Sequence, residues 1–332
     1  MTVPQRSTRA SAALVQSGES AARETASPRP EPAEPEGAGP KVVYVMGAGH
    51  SGSTILGLAL GNCSDSFYAG EVDEWLIVAG APSLGGAERN EFWTKVREAM
   101  RTTRAQELFG GQVNRLVERS SALLRPRGWP GRRALLRPYR EVAGQLLAAI
   151  AGTAGVGHVV DTSHFPLRAR ELQKLSGVQL HLVLLVRDPQ DVVASNVREI
   201  SRHEVAERRV RILATNVELW LTHLMSVLVF LRQPRDRRVF VRYESFVADP
   251  EAVMAQIIDS LGTGVAAPDM SALRGGVALQ GNSLIMSETI AVKRSTRTAE
   301  RWSRLTALAQ ACWGPVFARL RPVAIASGKR DA

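Results

Sequence analysis

Lys41-Val-Val-Tyr-Val-Met46 runs directly into Gly47-Ala-Gly-His-Ser-Gly-Ser-Thr54, and Ile55-Leu-Gly-Leu-Ala-Leu60 follows at once. The first segment is an unbroken apolar run, the pattern of a parallel strand buried on both faces. The last places apolar residues at 55, 56, 58, 59 and 60, which predicts a helix over residues 52–61. Strand, glycine loop and helix in that order aim backbone N–H groups and the positive end of a helix at one point. Such a point binds anions, and a phosphate is its expected occupant.

Outward from this unit, residues 1–40 are rich in Ala, Ser, Pro, Glu and Gly, with one aliphatic pair, Leu14-Val15, and read as a disordered tail. Downstream, strands expected at 156–160, 180–186 and 239–242 alternate with helices at 167–175, from Pro189, at 208–231 and at 250–261. That alternation predicts a three-layer α/β fold: a parallel central sheet with a P-loop-like phosphate-binding loop and helices on both faces. Residues 90–147 are helical in pattern except for the Arg/Pro/Gly-rich patch Arg125–Arg133, expected as a surface loop. A loop region at 262–297 and a last helix at 298–320 complete one domain over 41–325, with 326–332 as a short C-terminal tail.

With 332 residues, 45% of them hydrophobic, the chain can bury a sizeable core. Its formal charge of +10 favours an anionic partner without choosing among nucleotide, nucleic acid, sulfated substrate or acidic membrane. Aromatic content of 5% and the lack of a recognition motif count against nucleic acid, despite the basic patch around Trp129. Cys63 and Cys312 stand far apart without metal-ligand spacing, so neither a disulfide framework nor a zinc site is expected, and the reading is a cytoplasmic protein. No secretory pattern and no uncharged apolar run of about 18 residues occurs, so no stable membrane insertion is expected. Val210–Leu231 is interrupted by Arg211, Asn216, Glu218 and His223 and reads as a buried or amphipathic helix. Oligomeric state is left open.

The glycine loop admits two readings. Gly47, Gly49 and Gly52 satisfy GxGxxG, and Glu71 lies nineteen residues beyond Gly52, where an NAD(P)-binding Rossmann fold places its ribose-binding acid. On spacing alone this stays open. Three hydroxyls at the helix start, Ser51, Ser53 and Thr54, instead suit a monoester phosphate, and the loop lacks the Lys of the ATPase motif GxxxxGK[ST].

A second anion site is legible in Leu182-Val-Leu-Leu-Val-Arg-Asp-Pro-Gln-Asp-Val-Val-Ala-Ser195. Arg187 falls at the carboxyl end of a buried strand, where open α/β sheets bind their ligands. Asp188 suits the N-cap of the next helix, Pro189 its first position, and Asp191 the third position of a capping box. Ser195, about two turns on, returns to the face of the helix start, so Arg187 and Ser195 can hold one phosphate.

Taken together, the two motifs resemble sulfotransferases that use 3′-phosphoadenosine 5′-phosphosulfate (PAPS). His50-Ser-Gly-Ser-Thr54 is similar to the family's 5′-phosphosulfate loop, and Arg187-Asp-Pro-Gln-Asp-Val-Val-Ala-Ser195 to its 3′-phosphate motif. The resemblance covers about residues 41 to 305 and is loose between 80 and 150, which makes that helical stretch the expected acceptor side. It implies PAPS as co-substrate, bound by Gly49, His50, Ser51, Gly52, Ser53, Thr54, Arg187 and Ser195, with Asn282 and Lys293 in a late loop, Gly281-Asn282 to Lys293-Arg294, that closes over the nucleotide. Arg242-Tyr-Glu244 and Ala248-Asp-Pro250 resemble the family's strand-to-helix element. His50, and His164 in Asp161-Thr-Ser-His164, stand where family members usually carry a fixed cation.

Sulfuryl transfer needs in-line positioning, stabilised oxygens and a base. A sulfuryl group carries less charge than a phosphoryl group, so no metal is expected. Gly70-Glu71 is similar to the element that carries the catalytic glutamate in protein-tyrosine sulfotransferases and several bacterial relatives, which implies Glu71 as base. Asp73 and Glu74 are nearby competitors, and His164 is the rival base. The implied acceptor is a hydroxyl or amine on a small molecule, glycan or natural product. If the charges of His50 and His164 matter, activity is expected to fall at high pH.

Overall fold

In the computed structural model, residues 39–82, 85–100, 103–200, 205–292 and 303–321 are described. The opening strand, β1 (Lys41–Gly47), sends Val42, Tyr44 and Met46 into one apolar cluster and Val43 and Val45 into another, so both faces of the sheet are covered. This follows from the two-residue period of a strand acting on an unbroken apolar run. Helix α1 (Ser53–Gly61) leads to β2 (Ser66–Gly70), a strand absent from the expectation because it is short and ends in glycine. After α2 (Glu74–Ile77) and α3 (Ala87–Ala99) come short helical turns over 103–128 and then α4 (Trp129–Ala154).

The remaining strands are β3 (His158–His164), β4 (Gln179–Val186) and β5 (Arg238–Arg242). Between and after them lie α5 (Pro166–Leu172), α6 (Pro189–Ile200), α7 (Val205–Arg232), α8 (Tyr243–Ala248), α9 (Pro250–Leu261), α10 (Arg304–Gln310) and α11 (Trp313–Arg319). The five strands are all parallel in the order β2-β3-β1-β4-β5. One face packs α3, α4, α5, α7 and α11; the other packs α1, α8, α9 and the 270–290 loop. The expected three-layer α/β architecture is therefore present.

Strand order decides between the two readings of the glycine loop. A dinucleotide fold sets its second strand beside its first, in the order 3-2-1-4-5-6. Here β3 and β4 flank β1, and β2 lies at the sheet edge. The chain reverses direction across the sheet between β1 and β4, and the crevice at their carboxyl ends is the place where such sheets bind ligands.

Three local expectations need correction. The patch Arg125–Arg133 is not all loop: α4 starts at Trp129, with Pro130 in the first turn, where its missing N–H costs nothing. The last helix is two, broken at Ala311–Cys312, because Pro315 cannot continue the backbone ladder of a preceding helix. The strand expected at 156–160 begins at His158 and runs on to His164.

The described residues form one packed unit. Most of the expected N-terminal tail (1–38), the expected C-terminal tail (326–332), and Lys293 and Arg294 lie outside the described residues. Within α7, the stretch Arg209–Arg232 is long and apolar enough to cross a membrane by length and composition, and 39% of its most apolar 18 residues are buried in the protein. It packs on α5, α6 and α10.

Candidate active site

The β1–α1 loop is shaped by what glycine alone permits at two positions. A Cβ on Gly47 would sit 2.3 Å from the Leu185 carbonyl oxygen, and one on Gly52 would meet the Tyr243 ring at 2.3 Å. Gly52 also has φ +93°, a left-handed conformation that disfavours any side chain. The loop therefore lies flat on β4 and on the start of α8, with the N-terminus of α1 open. No side chain caps that end, so its first N–H groups remain for a ligand.

Ser51 does not join them. It is buried, and its hydroxyl donates to the Ala48 carbonyl at 2.6 Å, closing the loop on itself. Gly49, His50, Gly52, Ser53 and Thr54 do line a cavity of about 970 Å³, together with Glu71, His164, Arg187, Ser195 and Asn282. One crevice thus gathers every candidate residue described except Ser51.

Arg187 extends from the end of β4. Its guanidinium donates to the His50 carbonyl at 3.2 Å and to Asp191 at 3.3 Å, and it lies over the Tyr243 ring, 4.7 Å from the centroid. The helix start behind it is capped as expected on one side, where the Asp188 carboxylate accepts from the Gln190 N–H at 2.8 Å. The other half of the expected capping box is not made by Asp191, which is turned to Arg187. The Asp188 N–H instead donates to the Glu244 carboxylate at 2.7 Å. Arg242-Tyr-Glu244 thereby supports the phosphate motif twice, through the Tyr243 ring and the Glu244 cap.

Glu71 follows β2, where Gly70 has φ +80° and a Cβ would lie 2.2 Å from the Gln280 carbonyl. The Glu71 N–H donates to that same carbonyl at 3.0 Å, fixing the glutamate at the cavity edge and drawing Gly281-Asn282 beside it. Burial above all, and then the neighbouring Glu74 and Asp161 carboxylates, push Glu71 up to about 7. A carboxyl near 7 suits a proton acceptor working at neutral pH. Glu74 also lines the cavity, half-buried, and is raised by burial.

Asp73 is buried and raised well above the usual carboxylate range by burial and by Glu118. It lines the cavity, as Glu71 and Glu74 do, and ties it to a network behind. Asn114 donates to Asp73 at 3.1 Å, Tyr139 donates to Glu118 at 2.6 Å, and Arg168 bridges Glu118 (3.1 Å) to Asp161 (2.9 Å). Asp161 also accepts from the Ser163 N–H at 2.9 Å and from the Ser163 hydroxyl, whose oxygen accepts from the Asp73 N–H at 3.0 Å. This chain fixes the turn at the end of β3, where His164 has φ +55°.

Burial, then the nearby Arg119 charge, lower His164 to about 4. It is neutral at physiological pH, a charge state that the sequence leaves open. A fixed cation reaches the cavity from elsewhere: Arg119, whose Nε donates to the Asn114 side-chain Oδ1 at 2.8 Å and whose guanidinium lies 5.3 Å from the Phe165 ring centroid. Arg119 follows a single π-helical turn, Asn114–Glu118, in the region where motif reading is loosest. Sequence reasoning missed it, and missed Arg211, Thr215 and Asn196, which line the same cavity from α7 and α6.

Comparison with known proteins adds to this geometry. The sequence profile described as "Sulfotransferase family" matches residues 40–267. Among solved structures, the sulfotransferase domain of the Synechococcus PCC 7002 olefin synthase is 17% identical, with 86% of this chain and 97% of that one covered and a TM-score of 0.52. The sulfotransferase domain from the curacin biosynthetic pathway is 15% identical (82% and 97% covered, TM-score 0.47). A sulfotransferase from Mycobacterium tuberculosis H37Rv is 14% identical (84% and 78% covered, TM-score 0.42). No curated protein matches the chain.

Proposed function

The chain belongs to the sulfotransferase family, and from that premise we propose that it transfers a sulfuryl group from PAPS to a hydroxyl or amine of a small-molecule, glycan or natural-product acceptor, releasing adenosine 3′,5′-diphosphate. The observation that carries this reading is the convergence of two anion sites and a raised carboxyl on one cavity at the β1/β4 crevice. The N-terminus of α1, with Ser53 and Thr54, takes the 5′-phosphosulfate. Arg187 and Ser195 take the 3′-phosphate, and Asn282 closes on the nucleotide from the late loop.

The acceptor oxygen or nitrogen attacks sulfur in line as Glu71 takes its proton. A bond from sulfur to the acceptor forms while the bond from sulfur to the 5′-phosphate oxygen breaks, its electron pair remaining on the phosphate. His50, in the same loop, serves as a hydrogen-bond donor, and Arg119 supplies fixed positive charge to the transferring group. His164, neutral, serves as a hydrogen-bonding group rather than as a cation. The free thiols Cys63 and Cys312 support placement in a reducing compartment such as the cytoplasm.

Incubation with sulfur-labelled PAPS and a panel of hydroxylated and amino acceptors tests the reading. Label is expected on an acceptor in equal amount to the adenosine 3′,5′-diphosphate released. Normal turnover by Glu71→Gln would contradict the role given to Glu71.

A further inference from the structure

A second cleft, of about 950 Å³, opens beside the donor cavity between the 111–125 turns and the N-terminal half of α7. The two concavities share Arg119, Ala214 and Glu218, so they adjoin. Arg119 and Glu218 approach to 3.9 Å at this junction. The α7 wall of the cleft carries Val210, Leu213, Val217 and Leu221, spaced three or four residues apart and hence on one helix face. Leu124 closes the opposite wall. Val210 is 68% exposed, Leu213 55% and Val217 47%. Single exposed aliphatics are ordinary, but a row of them lining a concavity marks a binding surface.

Charge on the rim is one-sided. Arg115 and Arg125 border the cleft and Arg119 stands at its inner end, against the single carboxylate Glu218. A polycation is repelled there, and a sugar finds few polar partners along the apolar wall. From Val210 to Leu221 the wall runs about 16 Å at the rise of an α-helix.

We propose that this cleft binds the acceptor and that the acceptor is an anionic amphiphile. Its apolar chain lies along Leu213, Val217 and Leu124, its anionic group meets Arg115 and Arg125, and its hydroxyl passes the Arg119–Glu218 junction into the donor cavity. The proposal rests on the sulfuryl-transfer reading above: the hydroxyl proton goes to Glu71 as the oxygen–sulfur bond forms and the bond from sulfur to the 5′-phosphate oxygen breaks.

Calorimetric titration of the full chain with two probes, adenosine 3′,5′-diphosphate and 12-hydroxydodecanoate, tests it. Both are expected to bind. Leu213→Asp and Val217→Asp change exposed positions outside the donor cavity; each is expected to weaken 12-hydroxydodecanoate at least 10-fold and to leave the nucleotide unchanged. Arg115→Glu combined with Arg125→Glu is expected to remove the preference for 12-hydroxydodecanoate over 1-dodecanol. Nucleotide binding without 12-hydroxydodecanoate binding, or equal fatty-acid affinity in the Asp variants, overturns the acceptor assignment alone. Absence of nucleotide binding overturns the donor reading and this assignment with it. If the wild type does not bind 12-hydroxydodecanoate, but forms a dimer or sediments with phosphatidylglycerol vesicles in a way that Leu213→Asp abolishes, the face belongs to subunit or lipid contact and the proposal fails.

Discussion

The guanidinium of Arg187 lies over the ring of Tyr243, 4.7 Å from its centroid, and the same ring leaves no room for a side chain at Gly52. One aromatic residue thus sets both the cation proposed to hold the 3′-phosphate and the glycine of the loop proposed to hold the 5′-phosphosulfate. Loss of a partly exposed cation–π contact is worth about 0.5–2 kcal/mol. Tyr243→Leu is therefore expected to weaken adenosine 3′,5′-diphosphate by about 2- to 30-fold. Gly52→Ala, which forces a Cβ into the ring at a left-handed φ, is expected to lose more affinity than Tyr243→Leu in the same titration, and Gly52→Ala combined with Tyr243→Leu to recover part of that loss.

The pH dependence follows from Glu71. A base must be deprotonated to accept the acceptor's proton, and burial holds this carboxyl near 7. The rate of adenosine 3′,5′-diphosphate release at low acceptor concentration is expected to rise with pH, reach half its maximum near 7 and level off above. His164, lowered to about 4, is neutral throughout that range and contributes no fall on the alkaline side. Glu71→Gln is expected to lower turnover by about 10²- to 10⁴-fold and abolish the rise, with nucleotide affinity kept. A profile that falls through pH 7 would point to a histidine cation instead.

Arg119 brings a fixed positive charge to the cavity beside the neutral His164, and that charge is the one proposed to act on the transferring group. Removing one charged donor from a transition-state site costs about 10²- to 10³-fold in turnover. Arg119→Ala is expected to show a loss of that order in single-turnover kinetics, Arg119→Lys to recover part of it, and both to bind adenosine 3′,5′-diphosphate normally.

Arg168 carries the stability prediction. It is buried between Asp161 and Glu118, and its removal leaves two carboxylates without their cation in a dry site. Arg168→Met is expected to lower unfolding free energy by about 3–5 kcal/mol in urea titration. Arg140→Met, whose partner Glu171 keeps Lys174 at 2.9 Å, is expected to cost much less.

What could be read from the sequence was what repeats locally. The apolar runs of β1 and β4 announce buried parallel strands, and Pro250–Leu261 is a helix at the expected residues because Asp249 caps it and Gly262 ends it in a left-handed turn. β2 escaped because Ser66-Phe-Tyr-Ala-Gly70 is too short to show a period. At the site, the loop glycines and Arg187 were legible as neighbours because both follow parallel strands whose carboxyl ends open on one crevice. Ser51 misled, since its hydroxyl is spent on Ala48 and only geometry reveals that. The roles of Glu244 and Arg119 were hidden for a different reason: each acts on a residue more than 40 positions away, through contacts that the fold makes and no local pattern records.

The most direct test of the account is a calorimetric titration of the wild-type chain with adenosine 3′,5′-diphosphate and, separately, with NAD, repeated for Arg187→Ala. Saturable binding of the diphosphate, none of NAD, and at least a 10-fold loss in Arg187→Ala is the predicted result. Binding of NAD with no affinity for adenosine 3′,5′-diphosphate would contradict the account.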